Sequence, residues 1–234
     1  MEPLDRATAF PTSAAAERVT TFLRSVYGWM CAGLAVTAAV AYLISNTPAL
    51  VGILASSRLL FLGLFLAQLG VVFFLSARID RIAPGTATWL FIAYSALTGV
   101  TFSVILLAYT GASIATTFVV TAGMFGALAL YGTTTARSLA GVGQFLFMGL
   151  IGLVLASVVG IFWRNAALEF LISVVGVIVF TGLTAWDAQR LKQMAASVPE
   201  GQLGSYAILG ALSLYLNFIN LFLFLLRFMG GRRD

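Results

Sequence analysis

The sequence contains no histidine, has a single cysteine, and carries a charge on only 9% of its 234 residues. Without histidine the chain lacks the commonest general acid–base group and the commonest imidazole metal ligand. Cys31 has no second cysteine with which to form an internal disulfide. These absences argue against most enzymatic functions, and we predict a protein that is not an enzyme and has no catalytic residue and no cofactor.

Apolar residues, by contrast, are abundant. They make up 61% of the chain, and the mean hydropathy is +1.03. A soluble domain carries roughly 25% charged residues, and a membrane β-barrel shows alternating segments of about 10 residues. This chain has neither pattern, so we predict an all-α membrane protein that forms a seven-transmembrane-helix bundle. The predicted spans lie at about 25–45, 58–77, 87–109, 112–131, 142–163, 168–189 and 206–229.

The spans define three parts of the chain: a polar tail at 1–24, a transmembrane domain at 25–229 and a short basic tail at 230–234. The first tail lacks the short apolar segment of a cleavable signal peptide, so the first span is predicted to be an uncleaved anchor. The net charge of +5 comes from basic residues in loops and tails, where it reflects membrane topology. No nucleic-acid partner is therefore expected.

Asp187 stands out because it lies near the end of the sixth span, and an ionisable group at membrane depth is a functional hypothesis by default. The last span contains Asn217, and the midpoint between the two positions falls in the breaker Pro199–Gly204. A helical hairpin that turns there would place the two side chains at the same level, facing each other. The alternative is that Asp187 is a solvated residue at a helix end, paired with Arg190.

The last span also carries a stripe of polar or small residues at intervals of three or four. Such a stripe should face the interior of a bundle, where its polar groups can be satisfied. It has two interpretations, a structural hydrogen-bond seam or the lining of an ion path. The residues are Tyr206, Gly210, Ser213, Asn217, Asn220 and Phe224.

Five ordered segments resemble the transmembrane Bax inhibitor motif family (Bax inhibitor-1-like), in its bacterial branch. They are YSALTGVTFS at 94–103, IATTFVVTAGMFGALALYG at 114–132, FLFMGLIGLVLAS at 145–157, FTGLTAWDAQRLK at 180–192 and ALSLYLNFINLFLFLLR at 211–227. The resemblance implies a seven-helix bundle with a central last helix, in the inner membrane of a bacterium. It also implies a pH-sensitive calcium leak and protection against stress or death signals. Bacterial members are further associated with modulation of a membrane-bound ATP-dependent protease.

The resemblance also assigns roles to single residues. The family's pH sensor is a pair of aspartates in the sixth and seventh helices, which match Asp187 and Asn217 here. One member of the pair is therefore an amide in this chain. Where the family has two carboxyl groups that share a proton, this chain has one carboxyl group with a neutral partner. The family's arginine latch is best matched by Arg78. The competing interpretation of Arg78 is a plain cytosolic anchor of the second span.

From these features we predict a passive leak of calcium or other cations through the lipid bilayer. The predicted ion path and gate consist of Asp187, Asn217, Asn220, Ser213 and Arg78, and Asp187 is the predicted transient calcium contact. The alternative is an interaction protein that modulates a membrane-bound ATP-dependent protease or quality-control complex and does not conduct. In that case the polar N-terminal tail would be the binding segment.

The distribution of basic residues predicts the topology. Eight arginines and lysines lie on the side of the N-terminus and five on the other. The positive-inside rule then places the N-terminus and the segment of Arg190 and Lys192 in the cytosol, and the C-terminus in the periplasm. Arg232 and Arg233 argue against an external C-terminus, and a re-entrant last segment would return them to the cytosol. A reporter fused after Asp234 should be periplasmic, and a cytosolic reporter would contradict the count of seven spans.

Overall fold

The computed structural model describes residues 13–163 and 165–231, and within these ranges it is almost wholly helical, with no strand. Seven of the helices are long and apolar enough to cross a membrane, which confirms the predicted fold class. The helices are α1 Ser13–Ser45, α2 Pro48–Ser56, α3 Arg58–Arg78, α4 Pro84–Ala108, α5 Gly111–Thr134, α6 Ala140–Phe162, α7 Ala166–Ser197 and α8 Leu203–Met229. Two short 3-10 turns, Ile79–Arg81 and Glu200–Gln202, precede α4 and α8.

The helices begin where the sequence offers a start signal. Pro48 and Pro84 occupy the first positions of α2 and α4, where a residue without a backbone N–H costs nothing. Thr110 Oγ1 accepts from the Ser113 N–H (3.3 Å) at the start of α5, and Asn165 Oδ1 accepts from the Ala167 N–H (2.9 Å) at the start of α7. These caps satisfy backbone donors that have no partner within the helix.

The structure differs most from the sequence prediction at two helix boundaries and in one additional helix. The first helix begins at Ser13, within the segment predicted to be a polar tail, while residues 1–12 of that tail lie outside the described range. Phe22 and Val26 are buried in the core and hold this extension, and Arg18 donates a hydrogen bond to the carbonyl of Val198. Helix α2 was not predicted. The sixth spanning helix, α7, continues to Ser197, so Arg190 and Lys192 lie on a helix and not in a loop.

The last helix, α8, lies at the centre of the bundle. It packs against α1, α4, α5 and α7, whereas α3 packs mainly on α4, and α6 on α7. Fifteen of its side chains or glycines are buried, so α8 is enclosed on most of its circumference. This confirms the central position that the family resemblance implies.

Tyr215 holds the middle of α8 against α1 and α4. Its side chain is fully buried, and its ring meets those of Phe91 and Tyr94 edge-on, with centroids 5.7 and 5.8 Å apart. Its hydroxyl lies 2.6 Å from Thr37 Oγ1, and the Thr37 hydroxyl donates to the Ser95 carbonyl (2.9 Å). Because threonine has one hydroxyl proton, Tyr215 must be the donor to Thr37. This chain of hydrogen bonds joins α8 to α1 and α4.

The course of α8 runs from one end of the bundle to the other. At its start, Ser205 Oγ donates to the Ile82 carbonyl (2.8 Å), between α3 and α4. Just after its end, the Gly231 carbonyl accepts from the Thr110 N–H (3.1 Å), in the turn between α4 and α5. The helix is continuous over 27 residues, a length of about 40 Å. A re-entrant last segment, the alternative raised by Arg232 and Arg233, does not fit this course.

Close contact between α5 and α7 depends on Gly132. A Cβ atom at this position would lie 2.1 Å from the carbonyl oxygen of Ala185, a backbone atom that no side-chain rotation can move away. We expect Gly132→Ala to separate the two helices and lower the free energy of unfolding by about 1–3 kcal/mol, the usual cost of overpacking. Thermal unfolding in detergent measures the change.

The matched control is Gly126→Ala, on the same helix. A Cβ atom there would meet nothing within 4 Å, so this variant should unfold at or above the temperature of the parent. Equal destabilisation of both variants would mean that the contact between Gly132 and Ala185 does not govern the spacing of the helices.

Candidate functional site

Asp187 is buried between α7 and α8, with only 7% of its surface exposed. Its Oδ2 atom accepts two hydrogen bonds from α8, one from the Asn217 Nδ2–H (2.7 Å) and one from the Ser213 Oγ–H (2.8 Å). The contact between Asp187 and Asn217 that the hairpin geometry predicted is therefore present, and Ser213 completes it.

The local geometry of α8 explains why two donors reach one oxygen atom. Ser213 and Asn217 are four residues apart, so they lie on the same face of the helix, one turn from each other. Gly210, one turn earlier, lets α7 approach, because a Cβ atom there would lie 2.5 Å from Leu191 Cδ2. The small residue and the two donors together bring the carboxyl group of Asp187 against α8.

An open cleft of about 310 Å³ leads to this carboxyl group. Asp187 and Ser213 line it, as does the exposed Arg190, so polar groups reach its wall. The remaining lining residues come from α3, α7 and α8 and are Val72, Ser76, Leu191, Met194, Leu209, Gly210, Leu212 and Leu216. We call this space the inner cleft. It provides access from outside the bundle to an otherwise buried carboxyl group.

The alternative of a solvated, locally paired Asp187 does not hold. Its side chain is buried, and among the described residues no ion pair joins it to Arg190. The Arg190 guanidinium instead lies over the Trp186 ring, 5.5 Å from its centroid. The carboxyl group is therefore held by two neutral donors and not by a cation.

The other two predicted site residues are not part of this cluster. Arg78 is exposed in the last turn of α3 and is not among the residues that line the inner cleft. Asn220 lies further along α8, half-buried, and its Nδ2–H donates to the Leu216 carbonyl of its own helix (2.8 Å). The structure thus brings Asp187, Asn217 and Ser213 together and leaves Arg78 and Asn220 apart from them.

Gln189 is a supporting residue that the sequence prediction missed. Its side chain is buried, its Oε1 accepts from the Leu139 N–H (2.8 Å), and its Nε2–H donates to the Arg137 carbonyl (2.9 Å). These bonds fix the loop before α6, whose N-cap residue, Leu139, has no side-chain hydrogen bond to the helix. The sequence does show an amide side chain two residues after Asp187. Only the fold, however, reveals that this side chain bonds to the loop before α6.

The residues around Asp187 do not form a calcium site of the usual kind. Calcium in a protein takes 6–8 oxygen ligands, often from several carboxylates. The described residues contain no group of three acidic, histidine or cysteine side chains that could hold a metal ion. Asp187, Ser213 and Asn217 offer at most a few oxygen atoms, and two of these belong to groups already donating to the carboxylate.

The fold and the site together define a class: a polytopic helical membrane protein with one buried carboxyl group between its last two helices. Residues 19–234 match the family described as "Inhibitor of apoptosis-promoting Bax1". The chain belongs to this family, the Bax inhibitor-1 family.

Bacterial relatives match nearly the whole chain. Inner membrane protein YbhL of Escherichia coli K12 is 53% identical over 216 residues, which are 91% of this chain and 92% of the relative. An uncharacterized protein of Deinococcus radiodurans is 45% identical over 219 residues, 93% of each chain. Another, of Borreliella burgdorferi, is 44% identical over 215 residues, which are 91% of this chain and 93% of the relative.

The contact between Asp187 and Asn217 makes a testable contribution to stability. Asn217→Leu removes one of two donors from a buried carboxyl group, and a lost partner of this kind costs about 1–3 kcal/mol. We expect a lower unfolding temperature in detergent. The control is Asn220→Leu, on the same helix, which removes only a bond to its own backbone and should cost less. Equal losses would show that the bond to Asp187 adds nothing to stability.

Proposed function

We propose that this protein permits a passive leak of cations, calcium among them, and that Asp187 controls the cytosolic entrance of the path. One observation carries the proposal: a buried carboxyl group held by Asn217 and Ser213 lines an open cleft. The cleft offers access to a cation, and among the described residues that line it Asp187 is the one acidic side chain and Arg190 the one basic side chain. No catalytic turnover is needed for this function.

The two hydrogen bonds describe how the entrance would open and close. While Asp187 accepts from Ser213 and Asn217, its carboxyl group is drawn against α8. A hydrogen bond to a charged group contributes about 1.5–3 kcal/mol, which an approaching cation can offset by its own attraction to the carboxylate. Exchange of these donors for a cation would free Asp187 towards the inner cleft and let the ion enter.

The location follows from two arguments. The relative from Escherichia coli is named an inner membrane protein, and we place this protein in the inner membrane of a bacterium. The positive-inside rule puts the N-terminus in the cytosol, and Arg18 on α1 contacts Val198 in the loop between α7 and α8. The end of the bundle that holds the inner cleft therefore faces the cytosol, and the described end of α8 faces the periplasm.

The alternative function is a non-conducting modulator of a membrane-bound ATP-dependent protease. No contact among the described residues bears on such a partner, and the tail segment 1–12 that would bind it lies outside the described range. The alternative stays a prediction. A protective role under stress is compatible with either function, because both act on the integrity of the membrane or its proteins.

Asp187→Asn tests the proposed function. The amide has the shape of the carboxyl group and retains an oxygen that accepts hydrogen bonds, so folding should persist while the charge is lost. We expect the flux of calcium into proteoliposomes to change severalfold. The control is Asp80→Asn, which removes an acidic side chain at the same end of the bundle but outside the inner cleft.

The result is decisive when both variants elute as folded protein from size-exclusion chromatography. Flux that responds to Asp187→Asn and not to Asp80→Asn supports the proposal. Equal flux in the parent and in Asp187→Asn removes Asp187 from the entrance. Absence of flux from all three favours the non-conducting alternative.

Asn217→Asp tests the effect of the neutral partner. In the parent, an amide faces Asp187 at 2.7 Å, so no second carboxyl group shares its proton and we expect only a weak response of flux to pH near neutrality. Two facing carboxyl groups share a proton and titrate as a coupled pair, and protons then compete with calcium for the pair. The variant should gain a calcium leak that varies with pH. Matching curves of flux against pH for the two folded proteins would contradict this.

A further inference from the structure

A second cleft opens at the other end of the bundle, where α7 begins and α8 ends. It encloses about 700 Å³, and its lining among the described residues includes one acidic and one basic side chain, Glu169 and Arg227. The lining residues of α6, α7 and α8 are Ser157, Gly160, Ala166, Glu169, Phe170, Ile172, Ser173, Phe224, Arg227 and Phe228. We call this space the outer cleft.

The two clefts lie at opposite ends of one seam between α7 and α8. Residues at intervals of three or four share a face of a helix, and both clefts take residues from the same faces. On α7 this face carries Glu169, Ser173, Gly176, Phe180, Thr184 and Asp187. On α8 it carries Ser213, Asn217, Asn220, Phe224 and Arg227.

The ring of Phe224 closes the seam below the outer cleft. A Cβ atom on Gly176 would lie 2.6 Å from this ring, so α7 leaves it a place only because residue 176 is a glycine. The ring also stacks on Phe180, with centroids 5.8 Å apart, and the Arg227 guanidinium lies 5.9 Å from its centroid on the side of the cleft. Phe224 is thus held by both helices.

The two clefts are separated by about 12 Å along α8, from Leu216 to Phe224. Along α7 the separation is about 21 Å, from Ser173 to Asp187. Asn220 is the polar side chain of the α8 face between Leu216 and Phe224. A displaced Phe224 ring would therefore join the outer cleft to a polar group one helical turn away.

We propose that the outer cleft is the periplasmic mouth of the cation path, and that the Phe224 side chain is the gate that closes it. The inference rests on the proposed function and extends it from one entrance to two. The outer gate is steric, because it is an aromatic ring packed between α7 and α8, whereas the inner entrance is controlled by the Asp187 carboxyl group.

The experiment compares Phe224→Ala with Phe162→Ala in proteoliposomes loaded with a calcium indicator. Phe162 lies at the same end of the bundle, in the last turn of α6, but it is 86% exposed and does not line the outer cleft. We expect Phe224→Ala to increase calcium flux about tenfold, the change produced by a barrier lowered by about 1.4 kcal/mol. Phe162→Ala should match the parent.

A second measurement follows access to the seam and does not depend on flux. Asn220→Cys is introduced into a Cys31→Ser background and exposed to a cationic, membrane-impermeant methanethiosulfonate reagent from the periplasmic side. The introduced thiol should react slowly beneath an intact Phe224 and much faster in the Phe224→Ala variant. Phe162→Ala should leave the rate unchanged.

The outcomes separate this inference from the proposed function. Faster labelling and greater flux in Phe224→Ala, with flux that still responds to Asp187→Asn, support both. If flux responds to Asp187→Asn, but labelling and flux are the same in Phe224→Ala and Phe162→Ala, the outer gate is overturned and the inner entrance remains. Faster labelling without flux in any variant overturns the cation path itself, and with it the role of Phe224 as its gate.

Discussion

The contact of Asp187 with α8 is the constraint on which the site depends. A carboxyl group within an apolar bundle needs hydrogen-bond donors, and here both come from one face of the neighbouring helix, from Ser213 and Asn217. The requirement fixes the register of α7 against α8, since a slide by one turn would move the donors about 5.4 Å away. It also determines the position of the inner cleft, because α7 and α8 meet at the level of Asp187.

A central α8 follows from the physics of packing in lipid. Helices in a bilayer gain little from burying apolar surface against each other, so close packing and interhelical hydrogen bonds decide which of them associate. The contacts of α8 meet both conditions. The Tyr215 hydroxyl forms a hydrogen bond with Thr37 of α1, and the absence of a side chain at Gly210 leaves room for Leu191 of α7. By comparison, α3 exposes most of its apolar side chains, as expected for a helix at the boundary with lipid.

The sequence was informative wherever a local signal governs the structure. Apolar runs of about 20 residues indicated the seven spanning helices, and the breaker Pro199–Gly204 predicted the pairing of Asp187 with Asn217. What it could not predict depends on tertiary contacts. The helix before position 25 has no apolar run, and its stability comes from Phe22, Val26 and the bond of Arg18 to Val198. The sequence also could not predict that Arg78 lies apart from Asp187. An exposed residue shows no hydrophobic periodicity from which its neighbours could be inferred.

The amide at position 217 changes what kind of signal the site can receive. An aspartate pair responds to protons because the two groups share one, and the proton decides whether they attract or repel each other. An amide has no proton to share in this way, and Asn217 instead donates a hydrogen bond to the Asp187 carboxyl group. Under the proposed function, the cation in the inner cleft then competes with Asn217 and Ser213 for this carboxyl group. On that proposal the concentration of cations, more than a proton shared between two carboxyl groups, sets how often the entrance opens.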